Sequence, residues 1–151
     1  MINKKKQRRF VMHKFRPSAR ALILTKENKI LLLKRSKKGL KPYYVTPGGG
    51  IEENESSLQA LIRELKEETG SSVADICFLF HLDDVDKKNS VDFYLVKEVS
   101  RAVPTGIEWQ QSTEENKYEL YEADIEELSD LNLKPDVVKK ALINALAKRI
   151  C

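Results

Sequence analysis

Three glutamates lie close together in the sequence, at spacings that would place them on one side of a helix. Glu64, Glu67 and Glu68 are three and four residues apart, and residues at these spacings are neighbours on a helix surface. Like charges in this arrangement repel each other and weaken an isolated helix. Mg²⁺ prefers carboxylate oxygens and water as ligands, so a bound divalent cation would compensate the repulsion. The alternative is a solvated acidic helix face without a ligand.

The basic residues of the same segment compensate these glutamates poorly. Lys66 projects to the opposite side of the helix. Arg63 reaches Glu67, but with the cation on the N-terminal side, which is the less favourable orientation. The cluster therefore keeps an excess of negative charge.

The spacing around the glutamates resembles the Nudix box, G-x5-E-x7-R-E-U-x-E-E-x-G-U, where U is a bulky aliphatic residue. Eight of the nine specified positions agree, and the exception is Ser71, a packing position at which the family prefers Ile, Leu or Val. Such a match on a predicted loop, helix and loop is a specific signal. Together with the preceding hairpin and the closing helix, the resemblance spans roughly residues 18–148. The matching residues are Gly49, Glu55, Arg63, Glu64, Leu65, Glu67, Glu68 and Gly70.

The resemblance implies hydrolysis of a phosphoanhydride bond in a nucleoside diphosphate linked to another moiety, with Mg²⁺ or Mn²⁺ as cofactor. It implies that Glu64, Glu67 and Glu68 are metal ligands, together with the carbonyl of Gly48. As an alternative, the resemblance implies that Glu64 is the general base. Metal ions would neutralise the pyrophosphate, orient it and activate the attacking water.

Further site residues follow from the same resemblance. Arg63 would orient the helix carboxylates as part of the catalytic set. Glu55 would support the loop through hydrogen bonds, and a favourable charge at the helix N-terminus is the alternative for it. Glu52 occupies a position that is commonly acidic near the metals. The family often places another acid on a late loop, for which Glu114 and Glu115 are the candidates.

Three cations of the predicted hairpin are candidates for binding substrate phosphates. They are Arg20, Lys34 and Arg35. For each of them the alternative interpretation is a solvated surface charge. Trp109 either stacks on a base or covers the core. We expect His81 to be structural rather than catalytic.

The motif identifies the reaction better than the substrate. No proline occurs between Pro47 and Pro104, where ADP-ribose hydrolases of this family carry one. We expect a nucleoside triphosphate or related nucleotide, in a housecleaning role similar to that of MutT-like proteins. One alternative is a pyrophosphohydrolase acting on RNA 5′ ends. Another is a non-catalytic regulator that binds nucleotides or RNA, although such a protein would not need the intact glutamate cluster.

The RNA alternative rests on an uneven distribution of charge. The first 20 residues hold eight Lys or Arg and no acid, whereas the rest of the chain holds 19 basic and 23 acidic residues. Such a basic run attracts polyanions, and a solvated terminus is the other interpretation. We therefore divide the chain into a basic segment at 1–17, part of it a candidate edge strand, and a single Nudix domain at 18–151.

Composition restricts the class of protein further. The chain has 151 residues, of which 41% are hydrophobic and 33% charged, so it is neither disordered nor embedded in a membrane. A basic start without a following apolar stretch predicts no secretory signal. Cys77 and Cys151 do not form a disulfide framework or a zinc site. We expect a reduced, cytoplasmic protein of unknown oligomeric state.

The predicted elements place the glutamates after a glycine-rich loop. Two apolar runs form a hairpin, a short strand follows, and Ser56 with Gln59 has the spacing of a capping box that opens a helix ending at Gly70. Strands and a final helix complete an α+β protein with a mixed β-sheet sandwiched between helices. The ranges are 19–25, 29–34, 43–46, 75–82, 91–99 and 118–124 for strands and 136–147 for the last helix, after a polar loop at 104–116. We expect an apolar stripe on the first helix formed by Leu58, Leu61, Ile62 and Leu65. On the last helix we expect the inward-facing residues to be Val137, Val138, Ala141, Leu142 and Leu146.

Overall fold

The computed structural model of the protein describes residues 15–85 and 88–148. Within these residues the chain forms seven strands, three α-helices and one short 3₁₀-helix, Ile125–Ser129. The strands are β1 Arg16–Leu24, β2 Ile30–Lys37, β3 Tyr43–Val45, β4 Gly48–Gly50, β5 Ser71–Asp84, β6 Asn89–Arg101 and β7 Asn116–Ala123. The helices are α1 Ser57–Thr69, α2 Ile107–Gln110 and α3 Asp136–Lys148.

One mixed sheet contains all the described strands. Its main order is β3-β2-β1-β6-β5, with β4 paired to β1 and β7 paired to β2. β1 runs parallel to β6 along its whole length, and the other pairs are antiparallel. The central strands are buried on both faces, which explains why β1 and β2 contain nearly continuous apolar runs.

Helices cover the sheet from both sides, as the α+β prediction requires. Alternate residues of β1 separate into two cores, with Leu22 in one and Ala21 and Ile23 in the other. The first core includes Leu142 of α3, and the second includes Leu61 of α1. The predicted mixed sheet between helices is therefore confirmed.

The main helix, α1, has the predicted ends. The Gln59 amide donates to Ser56 Oγ at 3.1 Å, and the Ser56 amide donates to Gln59 Oε1 at 2.8 Å. Gly70 ends the helix in the left-handed conformation, with φ of 74°. The predicted buried stripe is only partly correct, because Leu58 and Ile62 are 45% and 49% exposed. The buried side is instead centred on Ala60, Leu61, Leu65 and Thr69.

Several other sequence predictions need correction. Residues 107–110 form the short helix α2 inside the predicted polar loop. Val137, predicted to face inward, is 50% exposed, while Val138 on the same helix is buried. Cys77 is disulfide-bonded, so the expectation of reduced cysteines is wrong at this residue, and Cys151 lies outside the described residues. β1 begins at Arg16, and the candidate edge strand ahead of it also lies outside them.

No helix of residues 15–85 and 88–148 is long and apolar enough to cross a membrane.

Candidate functional site

The glycine loop lies between β1 and α1 with almost no space for side chains. Gly48 has φ of 142°, and a Cβ there would approach the Ala19 carbonyl oxygen to 2.2 Å. A Cβ at Gly49 would approach the Glu64 carboxylate to 2.5 Å. Neither distance is compatible with a side chain, so glycine allows the loop backbone and the carboxylate of α1 to lie in direct contact.

Arg63 joins the loop to the helix. Its Nε and Nη2 donate to the two carboxylate oxygens of Glu55 at 2.7 and 2.9 Å, and Nη2 also donates to the Gly50 carbonyl at 3.0 Å. Its Nη1 donates to Glu64 at 2.8 Å and to Glu67 at 3.5 Å. The hydrogen bonds from Arg63 hold the pKa of Glu55 down at about 2. Glu55 is therefore a paired carboxylate, ionised under all ordinary conditions.

The carboxylates nearer the C-terminal end of α1 are in the opposite electrostatic situation. Glu68 is partly buried, and this burial raises its pKa to about 8, while the attraction of Arg20 only partly offsets it. Burial likewise raises the pKa of Glu64, against the hydrogen bond from Arg63. The charge of Glu108 contributes to raising both pKa values. The described residues therefore do not fully compensate the ionised forms of Glu64 and Glu68.

Glu108 reaches this position because the segment before β7 is fixed to the end of α1. The amides of Thr105 and Gly106 donate to the Glu67 carbonyl at 3.0 and 2.8 Å. The indole Nε1 of Trp109 donates to the Glu68 carbonyl at 2.7 Å. These bonds satisfy carbonyls that a helix C-terminus leaves without partners. The same contacts bring the acid of α2 close to the acids of α1.

Two adjoining cavities open beside these acids. One has about 220 Å³ and is bounded by Glu68, Glu108, Trp109 and Tyr118 among others. The second has about 300 Å³ and a largely apolar wall, with polar groups at Asp84 and Asn89. Three residues border both cavities and mark their junction: Arg20, Arg35 and Val45.

The sequence profile of the NUDIX domain matches residues 14–143. The chain belongs to the NUDIX family. The match covers the sheet, α1 with its glutamates, and most of α3. It confirms the resemblance that the spacing of the glutamates indicated.

Curated relatives of this NUDIX chain have different names. An ADP-ribose pyrophosphatase of Methanocaldococcus jannaschii is 48% identical over 48 residues, 32% of this chain and 28% of that protein. An 8-oxo-dGTP diphosphatase of Proteus vulgaris is 35% identical over 83 residues, 53% of this chain and 74% of that protein. An RNA pyrophosphohydrolase of Halorhodospira halophila is 35% identical over 65 residues, 43% of this chain and 34% of that protein. The matched region thus spans about a third or less of two of these relatives.

Solved structures agree with the fold. A MutT structure, from work on the proteins of Aliivibrio salmonicida and Vibrio cholerae, has a TM-score of 0.66 at 22% identity and covers 88% of this chain and 98% of that one. The NUDIX domain of Shewanella oneidensis NrtR, solved with ADP ribose, also has a TM-score of 0.66, at 20% identity, and covers 91% of this chain and 89% of that one.

The structure brings most of the predicted site residues together but leaves some apart. Lys34 alternates to the face of β2 opposite Arg35 and borders neither cavity. Glu115 pairs with Lys38 at 3.5 Å, away from the other acids. Glu52 is an exposed residue 3.8 Å from Arg63. The acid from the late loop that does lie beside α1 is Glu108, which the sequence analysis missed because its helix α2 is too short to produce a periodic pattern.

His81 lies outside this group, on β5. Its Nδ1 is 2.7 Å from Asp92, and its Nε2 is 2.9 Å from Asp83 and 3.0 Å from Ser90. These hydrogen bonds connect β5 with β6. The hydrogen bonds to the two carboxylates raise the pKa of His81, the one to Asp92 most.

The fit of a metal ion can be judged from the donors. No three His, Cys, Asp or Glu side chains of residues 15–85 and 88–148 are already grouped as metal ligands. One oxygen of Glu64 and one of Glu67 accept hydrogen bonds from Arg63 instead. The chemistry of the donor set nevertheless fits a hard divalent cation, because burial, and to a smaller extent the neighbouring acids, raise the pKa values of Glu64 and Glu68, and a cation would favour their ionised forms.

Proposed function

We propose that this protein hydrolyses a phosphoanhydride bond of a nucleoside diphosphate linked to a further group, with a divalent metal ion as cofactor. The observation that carries the proposal is the cluster of Glu64, Glu68 and Glu108, three acids on two elements beside the glycine loop and a cavity. Structural acidic faces are normally exposed and solvated, whereas these side chains are partly buried. Perturbed carboxylates in a cleft are the expected property of a catalytic site.

The acids of α1 and Glu108 each have a proposed role. Glu64, Glu67 and Glu68 would hold the metal, Mg²⁺ or Mn²⁺, with the Gly48 carbonyl. When bound, the metal would supply positive charge that polarises the phosphoanhydride and activates water. Glu108 lies close enough to Glu64 and Glu68 to influence the pKa of both. We infer that the general base is either Glu64 or Glu108.

Supporting residues act through these acids. Arg63 and Glu55 form a rigid clamp between the loop and α1, so they would keep the glutamates in position. Arg20 donates to the Thr46 carbonyl at 2.6 Å and attracts the Glu68 carboxylate. With Arg35 it borders both cavities, so this pair would bind substrate phosphates, whereas Lys34 on the opposite face would not.

The adjoining cavity favours a nucleotide. Its largely apolar wall includes Leu82, Phe93 and Val138, and Asp84 and Asn89 provide polar groups. A flat base with polar edges fits such a lining. We propose a nucleoside triphosphate or related nucleotide as substrate. RNA with a 5′ triphosphate is the second candidate, because one matched relative is named as an RNA pyrophosphohydrolase.

The test is a screen of the purified full chain with Mg²⁺ or Mn²⁺ and with chelator. Its substrates are nucleoside triphosphates, nucleotide sugars, ADP-ribose, dinucleoside polyphosphates and triphosphorylated RNA. We expect hydrolysis of at least one substrate, abolished by chelation and restored by metal. Turnover that persists after thorough chelation would contradict the mechanism. Tight nucleotide binding without turnover would favour the non-catalytic regulator.

We also propose that residues 1–17 are a basic segment attached to a single domain at 18–151. Deleting residues 1–15 should leave hydrolysis of a small nucleotide almost unchanged.

Because nucleotide substrates are cytoplasmic, we propose a cytoplasmic location. Alkylation of thiols in freshly lysed cells tests this. Cytoplasmic proteins rarely keep disulfides, so Cys77, which is disulfide-bonded in the structure, should react as a free thiol if the location is cytoplasmic.

A further inference from the structure

A row of aromatic and cationic side chains crosses three strands at the edge of the proposed site. In the register of the sheet Arg35 of β2 is opposite Tyr43 of β3 on one side and opposite Tyr118 of β7 on the other. Directly paired residues share a face of a sheet. The three side chains therefore form one continuous row.

One contact within the row is close, and the others lie near the outer limit of cation–π and ring–ring distances. The Arg35 guanidinium lies 3.9 Å from the centre of the Tyr118 ring and 5.9 Å from that of Tyr43. Lys37 extends the row, with its Nζ 6.0 Å from the Tyr43 ring. Trp109 lies at the other end, with its ring 6.4 Å from that of Tyr118. Rings and cations thus alternate from Lys37 to Tyr118, and Trp109 follows as a second ring.

The row joins the proposed catalytic acids to a basic loop. Arg35 and Tyr118 border the cavity that contains Glu68. Lys37, at the end of β2, leads into the exposed loop between β2 and β3, which contains Lys38 and Lys41. No acidic residue occurs in the sequence between Asn28 and Ile51, which contains six basic residues. Glu115 pairs with Lys38, so the other two lysines are the stronger candidates for binding an anion.

One atom of the row lacks a partner. Arg35 Nε is buried and has no hydrogen-bond partner among the described residues. A buried N–H without a partner is unfavourable. The Arg35 side chain also borders both cavities, so its positive charge lies where a phosphate of a bound ligand would be attracted.

We propose that this row and the adjacent loop bind single-stranded nucleic acid that extends away from the catalytic acids. Aromatic and guanidinium planes stack on any base, and lysines along the path attract the backbone phosphates. An acidic peptide would use the lysines but has no planar groups for the aromatic row. The inference goes beyond the proposed hydrolysis, because it requires binding of a strand without a phosphoanhydride.

The experiment measures binding of fluorescent ten-nucleotide strands with a 5′-hydroxyl to the full chain in chelator, by fluorescence anisotropy at several salt concentrations. RNA and DNA strands are compared with a duplex of the same sequence. The variants are Tyr43→Leu, Tyr43→Phe and the double variant Lys37→Ala with Lys41→Ala. The matched control removes two exposed lysines of α3, by Lys140→Ala with Lys148→Ala.

The expected results separate stacking from charge. Tyr43→Leu should weaken strand binding about 5-fold to 150-fold, the range for loss of one stacked base, and Tyr43→Phe should retain it. The Lys37 and Lys41 variant should reduce the salt slope by about 1.4, since each phosphate contact to a single strand contributes about 0.7. The α3 control should bind like the wild type.

Three results would overturn the proposal. They are no measurable strand binding by the wild type, equal binding of strand and duplex, and equal loss of binding in the lysine variant and its α3 control. The last would assign binding to overall charge, including the basic residues of segment 1–17. Melting curves identify any variant that fails to fold. If Tyr43→Leu fails to fold, the variant at the exposed Lys37 and Lys41 still tests the proposal. Because no strand in the assay can be hydrolysed, failure here leaves the proposed hydrolysis standing.

Discussion

The two ends of α1 hold carboxylates in opposite electrostatic states. Near its N-terminus Glu55 is clamped by Arg63, and its pKa is held at about 2. Near its C-terminus burial raises the pKa of Glu68 to about 8, and the charge of Arg20 and a hydrogen bond from the Gly48 amide offset this only partly. The two residues are of the same type and belong to the same sequence motif.

The difference teaches which carboxylates are structural and which are available for chemistry. The oxygens of Glu55 are occupied by a two-pronged hydrogen bond, which leaves little capacity for another ligand. The charge of Glu68 is expensive to keep in the folded protein unless a cation arrives. The N-terminal end of α1 therefore acts as the support, and the C-terminal end as the proposed working site.

The largest expected effect comes from Glu68→Gln, which removes the charge and keeps the size. Turnover should fall by on the order of 100-fold or more, the scale for loss of a key electrostatic group. Stability in chelator should remain level or rise by a few tenths of a kcal/mol, because the repulsion with Glu64 is relieved. Steady-state kinetics and melting curves on one preparation provide both values.

Glu126→Gln, an exposed acid of the 3₁₀-helix, is the matched control and should change neither quantity. A Glu68→Gln protein that melts several degrees lower and hydrolyses normally would contradict the contrast between the two ends, because Glu68 would then be the structural residue.

Arg63→Lys should disrupt the hydrogen bonds that support the N-terminal end of α1. Lysine keeps the charge but cannot form the paired hydrogen bonds to Glu55 together with those to Glu64 and the Gly50 carbonyl. We expect both a lower melting temperature and a fall in kcat that is smaller than for Glu68→Gln, with metal affinity reduced. Mn²⁺ binding followed by electron paramagnetic resonance measures the last. Unchanged metal affinity would show that the clamp does not position the ligands.

Trp109→Phe tests how the second acid is positioned. The change keeps an aromatic ring but removes the N–H that donates to the Glu68 carbonyl. Loss of one such bond costs about 1 kcal/mol, which corresponds to a decrease of about 2–4 °C in melting temperature for a domain of this size. We expect a several-fold decrease in kcat with a smaller change in KM. Tyr118→Phe, which keeps the neighbouring ring, should leave kcat nearly unchanged.

The smallest effect concerns pH and Glu55. Its pKa is lower in the folded protein than the ordinary value, so the stabilisation by its ionised form is complete above that value and disappears as pH falls towards about 2. The difference in unfolding free energy between wild type and Glu55→Gln should therefore be constant from pH 5 to pH 7 and shrink below about pH 4.5. Urea titrations between pH 3 and pH 7 measure it. A difference that stays constant down to pH 3.5 would contradict the lowered pKa of Glu55. Carbon-detected NMR titration of Glu55 provides the direct check, and a midpoint above pH 4 would contradict the clamp.

Much of the support end was predictable because its interactions are local. The capping box joins Ser56 to Gln59, the stop is Gly70, and Arg63 reaches Glu55 only eight residues away. The exposed positions Leu58 and Ile62 were not predictable, because apolar periodicity indicates a helix face but not how far the neighbouring strands cover it.

The working end depended on contacts between distant residues. The hydrogen bond from Trp109 to the Glu68 carbonyl joins residues 41 apart in the sequence. The same contact places Glu108 beside α1, as the late-loop acid for which Glu115 is one of the candidates from sequence. Lys34 and Arg35 are adjacent in sequence, yet strand alternation places only Arg35 at the cavities.

The sequence by itself determined the family and the identity of the acids on α1, because both are contained in one short motif with fixed helical spacing. Only the tertiary structure decided which carboxylate is clamped and which is left undercompensated, which loop supplies the additional acid, and which cations face the cleft. The physical reason is that charge compensation depends on burial and on partners brought together by the sheet, and neither is encoded in the spacing of a single helix.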